Sequence, residues 1–396
     1  MNNLLRLVAP IIVLPLMFEH TVQAAETVSA DFSVSQSYAN NLFRLADSVD
    51  PQATIGSSQA DDVINNFGVQ LNLDLPLSLQ KVTGHIGVVA NRFEFNEQLD
   101  NDALDLALGW NGELGERWGG RAKWQRKRSL ASFEGFRGSQ QNIIIRDHAE
   151  MGLHRQIGAQ WLMWGDLEQN SYSRSLISQQ HNDRRMVGMR LGITGRSSAG
   201  SELKVIASSR TVDFVNLTWL PGLLQDDELR EDELKLYLKW KMTRNTTVDG
   251  GAGIERVTNA HLAGNDFSGS AYDITLAWND NGTLNWQAES WRNIDTVTST
   301  YSNYVIRKGR RFSVQWSIRT TLLLRTEMSM EWLDYDDRST TRREDVRHDG
   351  SISLLYKPLH NTEISLTYAE SDRESTARLG GFRSHLVRLG MSFNWE

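Results

Sequence analysis

Cysteine is absent from the 396 residues, and proline occurs only six times. Without a thiol the chain has no disulfide framework, no cysteine nucleophile and no thiolate metal ligand. Six prolines against 13 tryptophans is an unusual balance for a two-domain soluble enzyme. Beyond residue 25 no stretch approaches the ~18 consecutive apolar residues of a transmembrane helix. No strong excess of one charge sign occurs either. The net charge of -7 comes from acids and bases mixed along the chain, and it implies no nucleic-acid partner. A mean hydropathy of -0.43 still leaves a membrane protein open. In a barrel only alternate residues touch lipid, so the average stays polar.

The first residues read as a leader. Arg6 supplies positive charge, Leu7 to Phe18 an apolar core interrupted by Pro10 and Pro15, and Val22-Gln23-Ala24 a small-residue cleavage site. Residues 1–24 are therefore expected to be a signal peptide, and 25–396 the mature domain.

Period-two alternation fills that domain. Phe67, Val69, Leu71, Leu73 and Leu75 alternate with Gly68, Gln70, Asn72 and Asp74. Leu234, Leu236, Leu238, Trp240 and Met242 oppose Lys235, Tyr237, Lys239, Lys241 and Thr243, and Phe312, Val314, Trp316 and Ile318 oppose Arg311, Ser313, Gln315 and Arg319. Successive side chains of a strand point to opposite faces, so each segment has one apolar and one polar side. Short turns are expected near Gly115-Glu116, Asn245-Thr246, Asn281-Gly282, Thr320-Thr321 and His360-Asn361. Longer polar loops are expected over 46–62, 171–182, 216–231, 259–267 and 337–345. Short turns at one end and long loops at the other predict one all-β, antiparallel transmembrane barrel of about 18 strands, with both termini in the periplasm. Eleven tryptophans, Trp110 and Trp395 among them, lie near expected strand ends or on the apolar face, where interfacial belts form. A tryptophan-rich sugar-binding β-protein is the competing reading.

The final segment carries Val387, Leu389, Met391, Phe393 and Trp395 on one face and Arg388, Gly390, Ser392 and Asn394 on the other. It resembles the C-terminal assembly signal of bacterial outer-membrane barrels, departing from it only in the Glu396 that follows the tryptophan. This places the chain in the outer membrane of a Gram-negative bacterium, in contact with lipid and lipopolysaccharide.

If the apolar faces meet lipid, the opposite faces line a lumen. Its bases cluster on two segments, and Lys235, Lys239, Lys241, Arg311, Arg319 and Arg325 are the candidates for a basic lining that attracts anions. The alternative is that they pair with wall carboxylates and simply brace the barrel. Catalysis finds little support. His148 and His154 share lumen parity with Asp166 and Glu168, yet no nucleophile motif accompanies them, and no metal-ligand spacing or cofactor motif occurs. The acidic stretches Asp226-Asp227-Glu228, Glu231-Asp232-Glu233 and Asp334-Asp336-Asp337 are read as solvated loops, with surface cation binding as the alternative.

Near the mature N-terminus, Tyr38 is followed by Asn41-Leu42-Phe43-Arg44-Leu45. This motif resembles the EpsL-like β-barrel proteins of exosortase-associated exopolysaccharide gene clusters, with Asn40 where an acidic residue often stands. The resemblance implies an outer-membrane barrel that secretes a polysaccharide. It also implies two partners, a periplasmic polysaccharide-export protein and an inner-membrane polymerisation complex. The expected function is thus a polysaccharide-export porin, an acidic polymer being one candidate cargo. A diffusion or uptake porin, or a structural barrel without transport, are the alternatives.

Overall fold

A computed structural model describes residues 28–395 except 135, 137, 219–225, 281, 300–301, 336–342 and 378–379. The leader, Trp219, Asn281, Asp336, Asp337 and Glu396 lie outside the described residues.

The alternating segments form eighteen antiparallel strands. The first nine are β1 (Val28–Ala39), β2 (Asp62–Leu77), β3 (Gln80–Phe93), β4 (Asn101–Glu113), β5 (Trp118–Leu130), β6 (Ile143–Ile157), β7 (Trp161–Arg174), β8 (Arg184–Arg196) and β9 (Glu202–Asp213). The second nine are β10 (Glu228–Lys241), β11 (Thr246–Asn259), β12 (Phe267–Asn279), β13 (Leu284–Ser299), β14 (Ser302–Arg319), β15 (Leu322–Tyr335), β16 (Glu344–Leu359), β17 (Thr362–Ser375) and β18 (Phe382–Trp395). Each pairs with its sequence neighbours, and β18 returns to pair with β1 from Ala30↔Trp395 to Ala39↔Leu386. Closure leaves no sheet edge, which hydrocarbon requires because it offers no hydrogen-bond partner to a free backbone group. Even the shortest strands, of 12 residues, reach about 40 Å at ~3.3 Å per residue, enough to span while tilted.

The outward face is the expected one. Phe67, Val69, Leu71, Leu234, Leu236, Phe312, Trp316, Leu366 and Trp395 are all exposed, whereas Arg388 and Asn394 point inward to hydrogen-bond Ser37 and Asp31 of β1. Short turns join the strand ends nearest both termini, the periplasmic side. The connections at the other end carry the extra structure, including a five-residue helix, α1 (Pro51–Ile55).

Two loop expectations are corrected. Strand β7 continues to Arg174, so Ser171 to Arg174 are wall, not loop. The acids Glu228 and Glu231 to Glu233 lie within β10, and Asp334 within β15, because each has an antiparallel partner in register. Glu231 is there an ion-pair partner of Arg210 on β9.

Among the described residues the wall encloses no apolar core, and the fully buried apolar side chains sit at the outer mouth. Phe43 and Leu45 from the β1–β2 loop, Ile55 of α1, Phe93, Leu99 and Phe133 of the β5–β6 loop pack into one cluster. Phe43 is completely buried and meets Phe133 edge to face at 4.9 Å. A second cluster joins Met186, Val212 and Leu229 to Phe214 of the β9–β10 loop.

Candidate functional site: the lumen and its outer mouth

Loops reach the mouth through specific anchors. The Asn41 side chain donates to Leu45 O (2.8 Å) and Arg383 O (2.9 Å) and accepts from Leu45 N (2.9 Å), folding the first loop back on itself and onto β18. Arg44, at a positive φ of 53°, sets its guanidinium over the Phe382 ring at 4.8 Å. Tyr38, the other residue of the motif, donates to Asp61 at 3.2 Å. Leu42 packs at the margin of the apolar cluster. The eight-residue motif is therefore a latch that seats the first loop in the mouth.

Buried aspartates brace the other loops. Asp62 accepts from Glu94 N, Asn96 N and Asn96 Nδ2 at 2.9, 3.1 and 2.8 Å. Asp226, fully buried, accepts from His261 N at 2.7 Å and Leu262 N at 2.9 Å, and contacts His261 Nδ1 at 3.0 Å. Burial pushes the Asp226 carboxyl upward, but its hydrogen bonds with His261 and Leu262 outweigh this and hold it below the usual value. The hydrogen bond with Asp226 raises the His261 imidazole. The depressed carboxylate contributes stability above its unfolded value of about 4 and loses it as pH falls through the folded value. The raised imidazole contributes fully below about 6.5 and loses that contribution as pH rises through its folded value. Hydrogen exchange at the His261 and Leu262 amides, corrected for intrinsic rate, should therefore be slowest between about pH 4 and 6.5. A flat profile across pH 3–8 would exclude this coupling.

Within the lumen the bases fall into two groups. Lys235 pairs with Asp273, and Arg311 lies 3.2 Å from Glu289 and 3.4 Å from Glu327 with its guanidinium over Trp291. These two brace the wall. Lys239 and Lys241 on β10, and Arg319 and Arg325 near the periplasmic ends of β14 and β15, make no ion pair among the described residues; Arg325 donates to Gln315 at 3.4 Å. Asp166, only 4% exposed, receives Arg121 at 2.7 Å and lies 3.6 Å from Arg190. His148 turns instead to Asn170 (2.7 Å) and Glu150 (3.6 Å). The grouping of histidines with Asp166 and Glu168 is thus, for Asp166, a guanidinium–carboxylate brace across β5 to β8. Changing Asp166 to Ala removes one of the two carboxylates, with Glu150, that Arg121 and Arg190 share, and should destabilise the barrel by about 1–3 kcal/mol, read as a lower urea midpoint in detergent.

Above the braces lies a chamber of about 500 Å³. Five arginines line it: Arg184, Arg210, Arg307, Arg347 and Arg373. Arg307 is held between Glu331 (2.7 Å) and Asp295 (2.8 Å). Arg184 stacks over Tyr172 at 4.8 Å, and its buried Nε has no hydrogen-bond partner. A second cavity of about 420 Å³ shares Arg307, Glu331 and Arg347 and continues down the wall past Arg311 and Trp291. Among the described residues, Trp164 and Trp291 are the lumen-facing tryptophans. They lie against Gly192 and Gly309, where there is no room for a Cβ. Sequence reading missed both, together with Arg184, Arg347 and Arg373. Strand parity carried the signal, but these arginines lie near the outer strand ends, where the facing positions are no longer strongly apolar.

A family model described as putative beta-barrel porin 2 matches residues 241–394. No curated protein matches the chain. Among solved structures, OpdK of Pseudomonas aeruginosa is similar over 93% of this chain and 100% of its own, at 8% identity and a TM-score of 0.52. OccK2 (OpdF) of the same species covers 93% and 97% at 9% identity and 0.53. A BenF-like porin from Pseudomonas fluorescens covers 93% and 99% at 7% identity and 0.52. This chain is an outer-membrane β-barrel. Its fold is that of the porins, and identities this low carry nothing finer.

Proposed function

We propose that this barrel is a conduit for acidic carbohydrate, exporting a polysaccharide across the outer membrane. The observation that carries the reading is the set of lumen bases without carboxylate partners among the described residues, Lys239, Lys241, Arg319 and Arg325, below an arginine-lined chamber. Unneutralised cations in a confined pore set a positive local potential and favour anionic solutes. The lumen-facing ring of Trp164, laid against Gly192, offers a sliding contact to sugar rings. The motif at Tyr38 and Asn41 to Arg44 supports export, and with it the periplasmic export protein and inner-membrane polymerisation complex as partners. The periplasmic turns would face them.

A strain lacking this chain should keep polymer synthesis and lose surface polymer. In planar bilayers, reversing Lys239 and Lys241 to Glu should move a reconstituted channel from anion toward cation preference. The shift should shrink at 1 M salt, where the Debye length is ~3 Å. An unchanged reversal potential at low salt would leave these lysines without a role in selectivity. Uptake is the second reading, favoured by the likeness to OpdK, which has also been crystallised with vanillate, a small carboxylate. Normal surface polymer with impaired growth on a carboxylate would select it.

A further inference from the structure

Glu134 is the lumen group whose position its own hairpin does not explain. It belongs to the β5–β6 loop, yet its partners stand outside that hairpin, on β16, β17 and the first loop. Its Oε2 accepts from Arg347 Nη1 at 2.9 Å, and its backbone carbonyl accepts from Arg373 Nη1 at 3.3 Å. Arg44 Nη1 stands 3.6 Å from Oε1, too far for a hydrogen bond, and this buried nitrogen has no other hydrogen-bond partner. Arg44 and Arg373 both stack on the ring of Phe382, at 4.8 and 4.9 Å, so the cradle is held in place without the carboxylate. The five-arginine chamber, with the unpartnered Nε of Arg184, opens beside it. A buried guanidinium donor without an acceptor is costly. Here Arg44 Nη1 is such a donor beside the carboxylate, and Arg184 Nε is another on the chamber wall. Arg347, which the carboxylate engages, is also paired through Nε with Asp349 at 2.7 Å.

We propose that the cradle of Arg44, Arg347 and Arg373 is a carboxylate-binding site, occupied at rest by Glu134 and taken over by a carboxylate of the cargo. The proposal rests on the reading of the cargo as acidic carbohydrate, and it names the group recognised. A uronate matches the unused donors. Its two carboxylate oxygens can bridge Arg44 Nη1 and the Arg347 Nη1 that Glu134 holds at rest, the Nε of Arg347 staying with Asp349. Its hydroxyl oxygens can accept from Arg184, and their protons can be given to Asp295 or Glu331 on the chamber wall. Glu134 competes as a tethered ligand, and tethers of this kind act at effective concentrations in the millimolar range. A free monovalent carboxylate must therefore be concentrated to displace it, whereas a polymer that presents many carboxylates rebinds.

The test uses the full barrel in planar bilayers, with block by sodium galacturonate as the readout and galactose as the neutral control. In Glu134→Gln the internal competitor is gone and the side-chain volume is kept, so galacturonate should bind at least 10-fold tighter than in the wild type. Adding Arg347→Gln should abolish the gain, and Arg347→Lys should restore part of it. Heat-modifiable migration on a gel shows that each variant is folded. Trigalacturonate separates the sources. A gain beyond the monomer's identifies a polymer ligand, and an equal gain a small carboxylate. Equal galacturonate block in wild type and Glu134→Gln, both folded, overturns the site. Should that occur while the deletion strain still loses its polymer, the site falls and the export reading stands.

Discussion

Replacing Met391 and Phe393 together with Asp should abolish assembly in the outer membrane. Both side chains lie on the lipid-facing side of β18, with Met391 opposite Val34 and Ile364, and Phe393 opposite Phe32 and Thr362. A charge on the lipid face costs up to about 2–4 kcal/mol at mid-membrane and less toward the interfaces, so two such changes take a large part of a stability of ~5–15 kcal/mol. The loss also falls on the seam, because β18 is the strand that β1 must pair with to close the cylinder. Ser392→Lys, one position away, places its charge in the aqueous lumen opposite Glu363 and should leave assembly near normal. Asn394 is a poorer control, since its side chain donates to Asp31 at 2.7 Å and an Asp there would set two carboxylates together. Outer-membrane levels measured by heat-modifiable migration decide between them. Equal levels for the paired lipid-face variant and Ser392→Lys would mean that the register of the last strand is wrong.

Phe43→Ala should open the mouth and leave the wall intact. Phe43 is completely buried in the cluster that unites the first loop, α1 and the β5–β6 loop. Removing a buried Phe side chain costs about 3–5 kcal/mol through lost transfer energy and the cavity left behind. That loss falls on loop packing, because no wall strand depends on Phe43 for its ladder. Single-channel conductance should rise, with noisier traces, while gel migration of the folded barrel is unchanged. Conductance equal to the wild type would show that this cluster does not limit passage.

The wall was legible in the sequence because lipid imposes a simple rule, apolar at every second residue, which β2, β10, β14 and β18 all obey. The even strand count, the turn positions and the closing strand follow from that rule. The lumen was only partly legible. Parity placed Lys235 and Lys239 on one face, but which of them is neutralised depends on the register of neighbouring strands. Asp273 on β12, two strands away, meets Lys235, while Lys239 has no such partner among the described residues. The mouth was least legible of all. Phe43, Leu99 and Phe133 come from three separate loops, and nothing periodic links them. Asp226 reads as one residue of a solvated acidic run, yet it is buried because the β11–β12 loop brings two backbone N–H groups to it. Glu134 is a lone acid in a loop until the barrel brings Arg347 to it.

The latch at Asn41 also sets an order in time. Its partners, the carbonyl of Arg383, the Ser384 hydroxyl and the Phe382 ring beneath Arg44, lie some three hundred and forty residues later, on the eighteenth strand. Contacts this remote in sequence form late, since the loop between them must close first. The first loop is thus synthesised early, and its Asn41 and Arg44 anchors must wait until β18 docks against β1. A seated first loop therefore reports a finished cylinder. A chain that stops short of the last strand would keep an unlatched first loop and two unpaired strand edges, the kind of open structure that periplasmic chaperones and proteases act upon.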